Sequence, residues 1–195
     1  ILIGGELSQI GGNYHIGGNE YLPFEACEYV ESFLHFKPFV SIITNIEEDH
    51  LDYFKYLNHI ITSFVKFASL TSDNGCNIVC IDENTTESIV QNVKKKAVTY
   101  ALNNKNADYT AENITLEKNG CPTFDIFNKD RKVLSVSLNV AGDHNICNAL
   151  GVTAACEFLG IEPEYIKSGL EEFRGAKRRF DRLGKTETGV DVVDD

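Results

Sequence analysis

The stretch NIVCIDENTTESIVQNVKKKAVTYA, residues 77–101, decides the fold class. Its two ends, NIVCI (77–81) and AVTYA (97–101), are short apolar runs of the kind found in strands that are buried on both faces. The segment between them predicts a helix that runs to Lys96, with Asn84 or Thr85 as its N-terminal cap. A strand, a helix and a second strand at these lengths predict a βαβ unit, and therefore a parallel sheet.

The same rhythm continues on the N-terminal side of this unit. Apolar residues recur at helical spacing over residues 56–70, and short apolar runs predict strands at residues 21–26 and 39–45. The first twenty residues are rich in glycine, but they contain neither G-x-x-x-x-G-K-[ST] nor G-x-G-x-x-G. We therefore interpret this opening as strand edges and turns.

On the C-terminal side of this unit, the helical pattern gives way to strand-like runs before further helices follow. β-branched and alternating runs separated by hairpin-type turns predict a small antiparallel layer, at residues 109–116, 123–127 and 133–140. Helices follow at residues 143–159, capped by Asp143, and at 163–173, and a last strand at 189–195. The sequence thus predicts an α/β fold: a mostly parallel sheet flanked by helices, with a small antiparallel β-layer.

Composition limits the classes of function. The formal net charge of −11 and the pI near 4.9 argue against a nucleic-acid-binding protein, which would carry a basic surface. No apolar run reaches transmembrane length and none resembles a signal peptide, so we expect no membrane insertion. Six irregularly spaced cysteines without a C-x-x-C pair favour reduced thiols in a cytoplasmic protein. No pattern in the sequence predicts an oligomer.

Two of the apolar runs end in groups that bind metals. Glu25 and Glu28 follow the run at residues 21–24, and the run at 39–43 leads through Thr44 and Asn45 to an acidic loop that ends near His50. Ligands collect beyond the carboxyl ends of parallel strands, so these side chains predict a divalent-metal site of the kind that Mg²⁺ occupies. The alternative is a solvated acidic loop.

Two further groups of polar residues could either bind a ligand or be ordinary structural and surface residues. Asn145 and Asn148 share the first turn of the helix that follows Asp143-His144, where carboxamides could pair with a purine edge or simply lie at a polar helix start. Arg174–Arg182 holds five of the eighteen cations of the chain. Such a cluster suits phosphate contacts, or it is a solvated basic linker.

Five segments of the chain are similar to those of one enzyme family, in the same order and at the same spacing. They are FEACEYVESFLHF (24–36), TNIEEDHLDYF (44–54), GDHNICNALGVTAA (142–155), FRGAKRRFDRLG (173–184) and VVDD (192–195). Together they resemble the ATP-dependent Mur ligases of peptidoglycan synthesis. The motifs E-A-C-E, T-N-I-x-x-D-H and R-R-F-D resemble the branch that adds L-alanine rather than the ligases that add later residues.

The resemblance implies roles for individual residues. It implies Mg²⁺ ligation by Glu25, with Glu28 as the alternate, and by His50 at the second Mg²⁺ position. His144, Asn145 and Asn148 match the helix that holds adenine. The remaining implied roles are phosphate binding by Arg179, with Arg178 beside it as a second catalytic arginine, and binding of the ATP ribose by Asp195.

The resemblance also implies the reaction and the domain organisation. We expect a ligase that uses ATP and Mg²⁺ to join L-alanine to the carboxylate of UDP-N-acetylmuramate through an acyl phosphate. Residues 1–182 would be the central ATP-binding domain, of the P-loop type but without its phosphate loop, and 183–195 the start of the C-terminal ligase domain. We expect the family's phosphate loop and UDP-binding domain before Ile1, and no ligase activity from this chain alone.

Two alternatives to this function stay open at the level of sequence. One is a ligase of the same family that attaches a whole peptide to UDP-N-acetylmuramate. The other is a non-catalytic nucleotide-binding module that kept the fold after losing the phosphate loop.

Overall fold

The computed structural model describes residues 1–179 and 181–194. The chain forms two compact units. The larger, Cys27–Glu172, is called the core unit below. The smaller combines Ile1–Ala26 with Phe173–Asp195 and is called the terminal unit.

The elements are numbered in chain order. The strands are β1 (Leu2–Leu7), β2 (Gly12–Tyr14), β3 (Val40–Ile43), β4 (Cys76–Cys80), β5 (Ala97–Tyr100), β6 (Tyr109–Leu116), β7 (Pro122–Asn128), β8 (Arg131–Ser137), β9 (Asp181–Lys185) and β10 (Asp191–Asp194). The helices are α1 (Leu51–Phe54), α2 (Leu57–Ser69), α3 (Asn84–Asn92), α4 (Asp143–Phe158) and α5 (Pro163–Glu172). Short 3₁₀ segments cover Ser8–Ile10 and Tyr29–His35.

The core unit is built on one six-stranded sheet with the order β3-β4-β5-β6-β7-β8. Strands β3 to β6 run parallel to their neighbours, and β6, β7 and β8 form an antiparallel meander. The predicted α/β fold is confirmed. The predicted antiparallel layer is the continuation of the parallel sheet, to which it is joined by the pairing of Tyr100 with Tyr109.

Strand β4 shows why helices cover both faces of the sheet. All five of its residues are buried, and successive side chains point to opposite faces. Ile78 belongs to the hydrophobic cluster that includes Leu150 of α4, whereas Val79 belongs to the cluster that includes Ile60 of α2. A strand with apolar residues on both faces needs a helical layer on each side, as the unbroken run NIVCI predicts.

A buried hydrogen-bond network joins β3, β4 and the end of α2. The side-chain oxygen of Asn77 accepts hydrogen bonds from the hydroxyls of Ser41 (2.6 Å) and Thr71 (2.8 Å). The Asn77 amide nitrogen donates to the carbonyl oxygen of Ala68 at 3.2 Å. All the polar side chains of this network are buried and each has a partner, so the network fixes the register of β4 against α2.

The terminal unit differs from the prediction for the first 26 residues. The predicted strand at 21–26 is wrong: Phe24 forms only an isolated parallel bridge with Leu2. Pro23 has no N–H to donate to a ladder, and the backbone bonds of this segment are made to Leu2 on either side. Strands form instead in the glycine-rich opening, where β1 and β2 pair antiparallel, and β9 pairs antiparallel with β10.

Two helices begin or end at other residues than predicted. The N-cap of α4 is Gly142, with no side-chain capping bond, and Asp143 is the first helical residue. The N-cap of α3 is Glu83, and this helix ends at Asn92 rather than at Lys96 because Val93 is already extended (φ −105°, ψ 126°). Over the part of the chain that the structure describes, no helix combines the length and the apolar character needed to cross a membrane.

Candidate functional site

Glu28, Asp49 and His50 bring three metal-binding groups together in the core unit. The Nε2 atom of His50 lies 3.5 Å from Oε1 of Glu28 and 3.8 Å from Oδ2 of Asp49. One ligand atom from each residue falls within 4.8 Å of the other two. Two carboxylates and one imidazole, all partly open to solvent, suit a hard divalent cation that keeps several of its waters. The chemistry of this donor set therefore fits Mg²⁺.

The backbone around His50 positions its ring. His50 has a left-handed conformation (φ 50°, ψ 44°) directly before α1, and its N–H donates to Oδ1 of Asp49 at 2.6 Å. The ring of Tyr29 lies against the imidazole, with 4.6 Å between the ring centroids. The Tyr29 hydroxyl donates to Oδ2 of Asp52 at 3.0 Å, which raises the pKa of Tyr29. The His50 imidazole is thus oriented by its own backbone conformation and by the Tyr29 ring, which packs against one of its faces.

Glu31 fixes the segment that carries Glu28 and Tyr29 onto α2. Its carboxylate accepts hydrogen bonds from Ser63 (2.5 Å), from Lys66 (3.1 Å) and from Tyr53 (3.3 Å). The Ser63 hydroxyl is the main cause of the lowered pKa of Glu31, and Lys66 adds to the effect. Lys66 is thus the ion-pair partner of the Glu31 carboxylate.

Glu25 lies in the terminal unit, beside β1. Its Oε2 accepts a hydrogen bond from the N–H of Gly4 at 2.8 Å, and its own N–H donates to the carbonyl oxygen of Leu2 at 2.9 Å. A Cβ atom at Gly4 would lie 3.0 Å from Oε1 of Glu25, so glycine allows the carboxylate to approach the strand backbone. Its predicted role as a Mg²⁺ ligand remains a prediction.

His144, Asn145 and Asn148 lie in the first turns of α4, as predicted. His144 and Asn148 are exposed and Asn145 is half-buried. The Asn145 amide nitrogen donates to the carbonyl oxygen of Ala141 (2.8 Å) and lies 3.1 Å from Nε2 of His144. Gly142, with φ 101°, allows the His144 ring to fold back over the start of the helix. This turn presents a ring and two carboxamides at one helix end.

The basic cluster follows α5 in the terminal unit. Arg178 (φ 60°) and Arg179 are adjacent and exposed. Lys177 anchors the segment to β1, because its N–H donates to the carbonyl oxygen of Glu6 (2.9 Å) and its Nζ lies 3.2 Å from Oε2 of the same residue. Asp195, predicted to bind ribose, lies outside the described residues.

Sequence reasoning missed two features of this region. Asp49 lies in the acidic loop directly before His50, and no separate role is predicted for it, but it belongs to the cluster with Glu28 and His50. Cys80, Asp82 and Cys147 also bring their polar atoms within 4.8 Å of one another. The rule that polar groups after a strand end collect at one edge of the sheet points equally to Cys80 and Asp82 at the end of β4.

Comparison with known proteins gives a family for the chain. Residues 17–156 match the Mur ligase middle domain. The chain is 47% identical over all 195 residues to a UDP-N-acetylmuramate–L-alanine ligase of Acetivibrio thermocellus and 42% identical to that of Caldanaerobacter subterraneus subsp. tengcongensis. It spans 41% and 42% of the length of these curated relatives.

A solved structure gives the same result. The crystal structure of the UDP-N-acetylmuramate–alanine ligase MurC from Thermotoga maritima matches the whole chain with a TM-score of 0.83 and 29% identity, over 43% of its own length. The chain belongs to the Mur ligase family, and residues 17–156 carry the middle domain of that family.

Proposed function

We propose that this chain is the central part of an ATP- and Mg²⁺-dependent ligase that joins L-alanine to the carboxylate of UDP-N-acetylmuramate. One observation carries the proposal: the similarity to relatives named for this reaction extends over all 195 residues, at 47% identity. The Glu28–Asp49–His50 cluster supports it, because it supplies a fitting site for a divalent cation.

The proposed reaction has two steps. The carboxylate of UDP-N-acetylmuramate attacks the γ-phosphorus of ATP, which forms an acyl phosphate and releases ADP. The amine of L-alanine then attacks the acyl carbon, and the tetrahedral intermediate expels inorganic phosphate to leave an amide. Both partners of the first step are anions, so the site must offset their repulsion and the charge that develops on the transferring group.

Within this chain, we assign Mg²⁺ binding to Glu28, Asp49 and His50, and to Glu25 by resemblance to the family. When bound, Mg²⁺ neutralises phosphate charge and orients the triphosphate. Tyr29 packs against the His50 ring and the Asp49 carboxylate accepts the backbone N–H of His50, so the imidazole is positioned before any cation arrives.

We assign the nucleotide to α4 and the basic cluster. His144, Asn145 and Asn148 would contact adenine, because a carboxamide both donates and accepts and so can pair with a purine edge. Arg178 and Arg179 would contact the phosphates, for which the planar guanidinium group is well shaped. Asp195 would bind the ribose hydroxyls.

The free thiols of the described cysteines support a reducing compartment, and we propose the cytoplasm.

The full-length protein tests the proposal directly. It is incubated with ATP, Mg²⁺ and UDP-N-acetylmuramate, together with L-alanine, glycine, L-serine or a tripeptide, and ADP release and product mass are measured. We expect the highest kcat/KM with L-alanine and a product that corresponds to one added alanine. A preference for the tripeptide would indicate the peptide-attaching ligase instead. Nucleotide binding without ADP release under any condition would indicate the non-catalytic module.

A further inference from the structure

A second group of metal-binding side chains lies in the core unit, apart from Glu28 and His50. The Sγ atoms of Cys80 and Cys147 are 3.5 Å apart. Oδ2 of Asp82 lies 3.9 Å from the first of these sulfurs and 3.8 Å from the second. The three atoms therefore form a nearly equilateral triangle, and no disulfide joins the two cysteines.

The distances between these three atoms match the ligand–ligand distances of a tetrahedral metal site. With Zn–S bonds of about 2.3 Å and a Zn–O bond of about 2.1 Å, tetrahedral angles place two sulfurs about 3.8 Å apart and a sulfur and an oxygen about 3.6 Å apart. The observed separations differ from these values by about 0.3 Å or less. We propose that Cys80, Asp82 and Cys147 form a binding site for a thiophilic divalent cation such as Zn²⁺, with an exogenous ligand such as water in the fourth position.

The ligands of this site are fixed by the fold. Cys80 is the last residue of β4, and Cys147 lies one turn into α4. The carboxylate of Asp82 accepts hydrogen bonds from three backbone N–H groups, those of Leu102 (2.7 Å), Asn103 (2.7 Å) and Asn104 (3.0 Å). These bonds orient the carboxylate towards the sulfurs without blocking all of its lone pairs, as outer hydrogen bonds do at known metal sites.

The two thiols differ in acidity. The hydrogen bond between the sulfurs lowers the pKa of Cys80, whereas the same contact, burial and the nearby Asp82 raise the pKa of Cys147. A metal ion replaces the proton of each thiol that it binds. Metal binding should therefore release protons and strengthen as the pH rises.

The donor set separates this site from the Mg²⁺ cluster. Thiolates select Zn²⁺ and similar ions, whereas the carboxylates of Glu28 and Asp49 suit a hard cation such as Mg²⁺. The inference is independent of the proposed ligase activity, since it rests only on three side chains of the core unit. The site would tie the end of β4 to the start of α4, next to His144 and Asn148.

Metal titration of the 195-residue chain tests the inference. Co²⁺ is the probe, because tetrahedral thiolate coordination gives it intense visible and charge-transfer absorption, and Zn²⁺ is then added as a competitor. The protein is kept reduced with a reductant that contains no thiol. We expect one thiolate-bound Co²⁺ per chain by its charge-transfer absorption, displaced by Zn²⁺, and a bound metal that survives gel filtration.

Variants assign the signal to the site. Cys147→Ala and Cys80→Ala should each abolish the thiolate–cobalt absorption. The control is Cys156→Ala, which removes a thiol of similar exposure from the same helix and should leave the titration unchanged. Circular dichroism verifies that each variant is folded. If one of the two site variants does not fold, the other one alone tests the assignment.

Two results would overturn the inference. One is the absence of stoichiometric thiolate–cobalt absorption from the fully reduced chain. The other is equal binding by Cys147→Ala and Cys156→Ala, which would assign the metal to other thiols.

Discussion

At the scale of single residues, His50 is the most constrained member of the candidate Mg²⁺ cluster. Its left-handed backbone, its bond to Asp49 and the ring of Tyr29 all serve to orient one imidazole. We predict that His50→Ala in the full-length protein raises the Mg²⁺ concentration needed for half-maximal ADP release by about tenfold or more. A Mg²⁺ titration of the steady-state rate measures this change.

The control for His50 is His35→Ala, which removes an exposed histidine of the same unit. It should leave the Mg²⁺ dependence unchanged. An equal loss of rate in both variants, with no change in the Mg²⁺ requirement of either, would contradict a metal role for His50.

Gly142 is the second residue on which the site depends. Its φ of 101° suits glycine alone, and a Cβ atom there would lie 2.6 Å from Cε1 of His144. Gly142→Ala should therefore lower the free energy of unfolding by about 1–3 kcal/mol and displace the His144 ring. Urea unfolding measures the first effect, and ATP titration of the full-length protein measures weaker nucleotide binding.

Gly169→Ala provides the opposite control in α5. A Cβ atom at Gly169 meets nothing within 4 Å, and the residue lies inside a helix. This substitution should stabilise the chain by about 0.5–1 kcal/mol because alanine is the better helix former. If both alanine variants changed stability in the same direction, the conformational argument for Gly142 would be wrong.

The sequence could predict site residues only where a short local spacing brings them together, and not where the contact joins residues far apart along the chain. Asn145 and Asn148 are three residues apart, which predicts that they share one face of a helix, and both lie in the first turns of α4. The contact between Cys80 and Cys147 joins residues 67 positions apart, and no local pattern encodes it. Glu28 and His50 are likewise 22 positions apart, and Val30 and Glu31 between them have positive φ.

At the scale of elements, the packing of β4 against α2 depends on the buried Asn77 network. Asn77→Ala would leave the hydroxyls of Ser41 and Thr71 without the acceptor they share, whereas the carbonyl oxygen of Ala68 would keep the N–H of Thr71. Because an unsatisfied buried polar group costs about 1–3 kcal/mol, we predict a loss of about 3 kcal/mol in the free energy of unfolding. Urea denaturation followed by circular dichroism measures it.

Asn92→Ala is the control for this network, since Asn92 is exposed and bonds only to Ser88 of its own helix among the contacts of the described residues. It should cost well below 1 kcal/mol, as surface substitutions usually do. A cost for Asn77→Ala no greater than that for Asn92→Ala would show that the network contributes little.

Elements with a strong local pattern were predictable, and those defined by their partners were not. The run NIVCI is apolar throughout, and it forms the fully buried β4. Residues 21–26 carry a similar apolar run but form no strand, because Pro23 limits pairing and only Leu2 is available as a neighbour. The end of α3 was missed because Val93 leaves the helix for the extended conformation that leads towards β5, whereas the lysines that follow it would suit a helix.

At the scale of the whole molecule, burial is divided unequally between the two units. All the buried side chains of the described residues lie between Phe33 and Ile166, within the core unit. The described part of the terminal unit has no buried residue and exposes large apolar side chains such as Ile16, Leu22 and Leu183. Its two hairpins therefore rest mainly on backbone hydrogen bonds, and isolated two-stranded hairpins are marginally stable in water.

This division predicts unequal protection of backbone amides in the isolated 195-residue chain. Amides of β4 and β5 should exchange only through global unfolding, at least about 10³-fold more slowly than those of β1, β2, β9 and β10, which open locally. Hydrogen exchange followed by mass spectrometry of peptides measures both sets in one experiment, with the exposed segment around Gly17 and Gly18 as the unprotected reference. Equal slow exchange in both sets would mean that the terminal unit shares the cooperative stability of the sheet. In the full-length protein, a selective rise in protection of β1 and β2 would show that further parts of the protein supply the burial that these strands lack here.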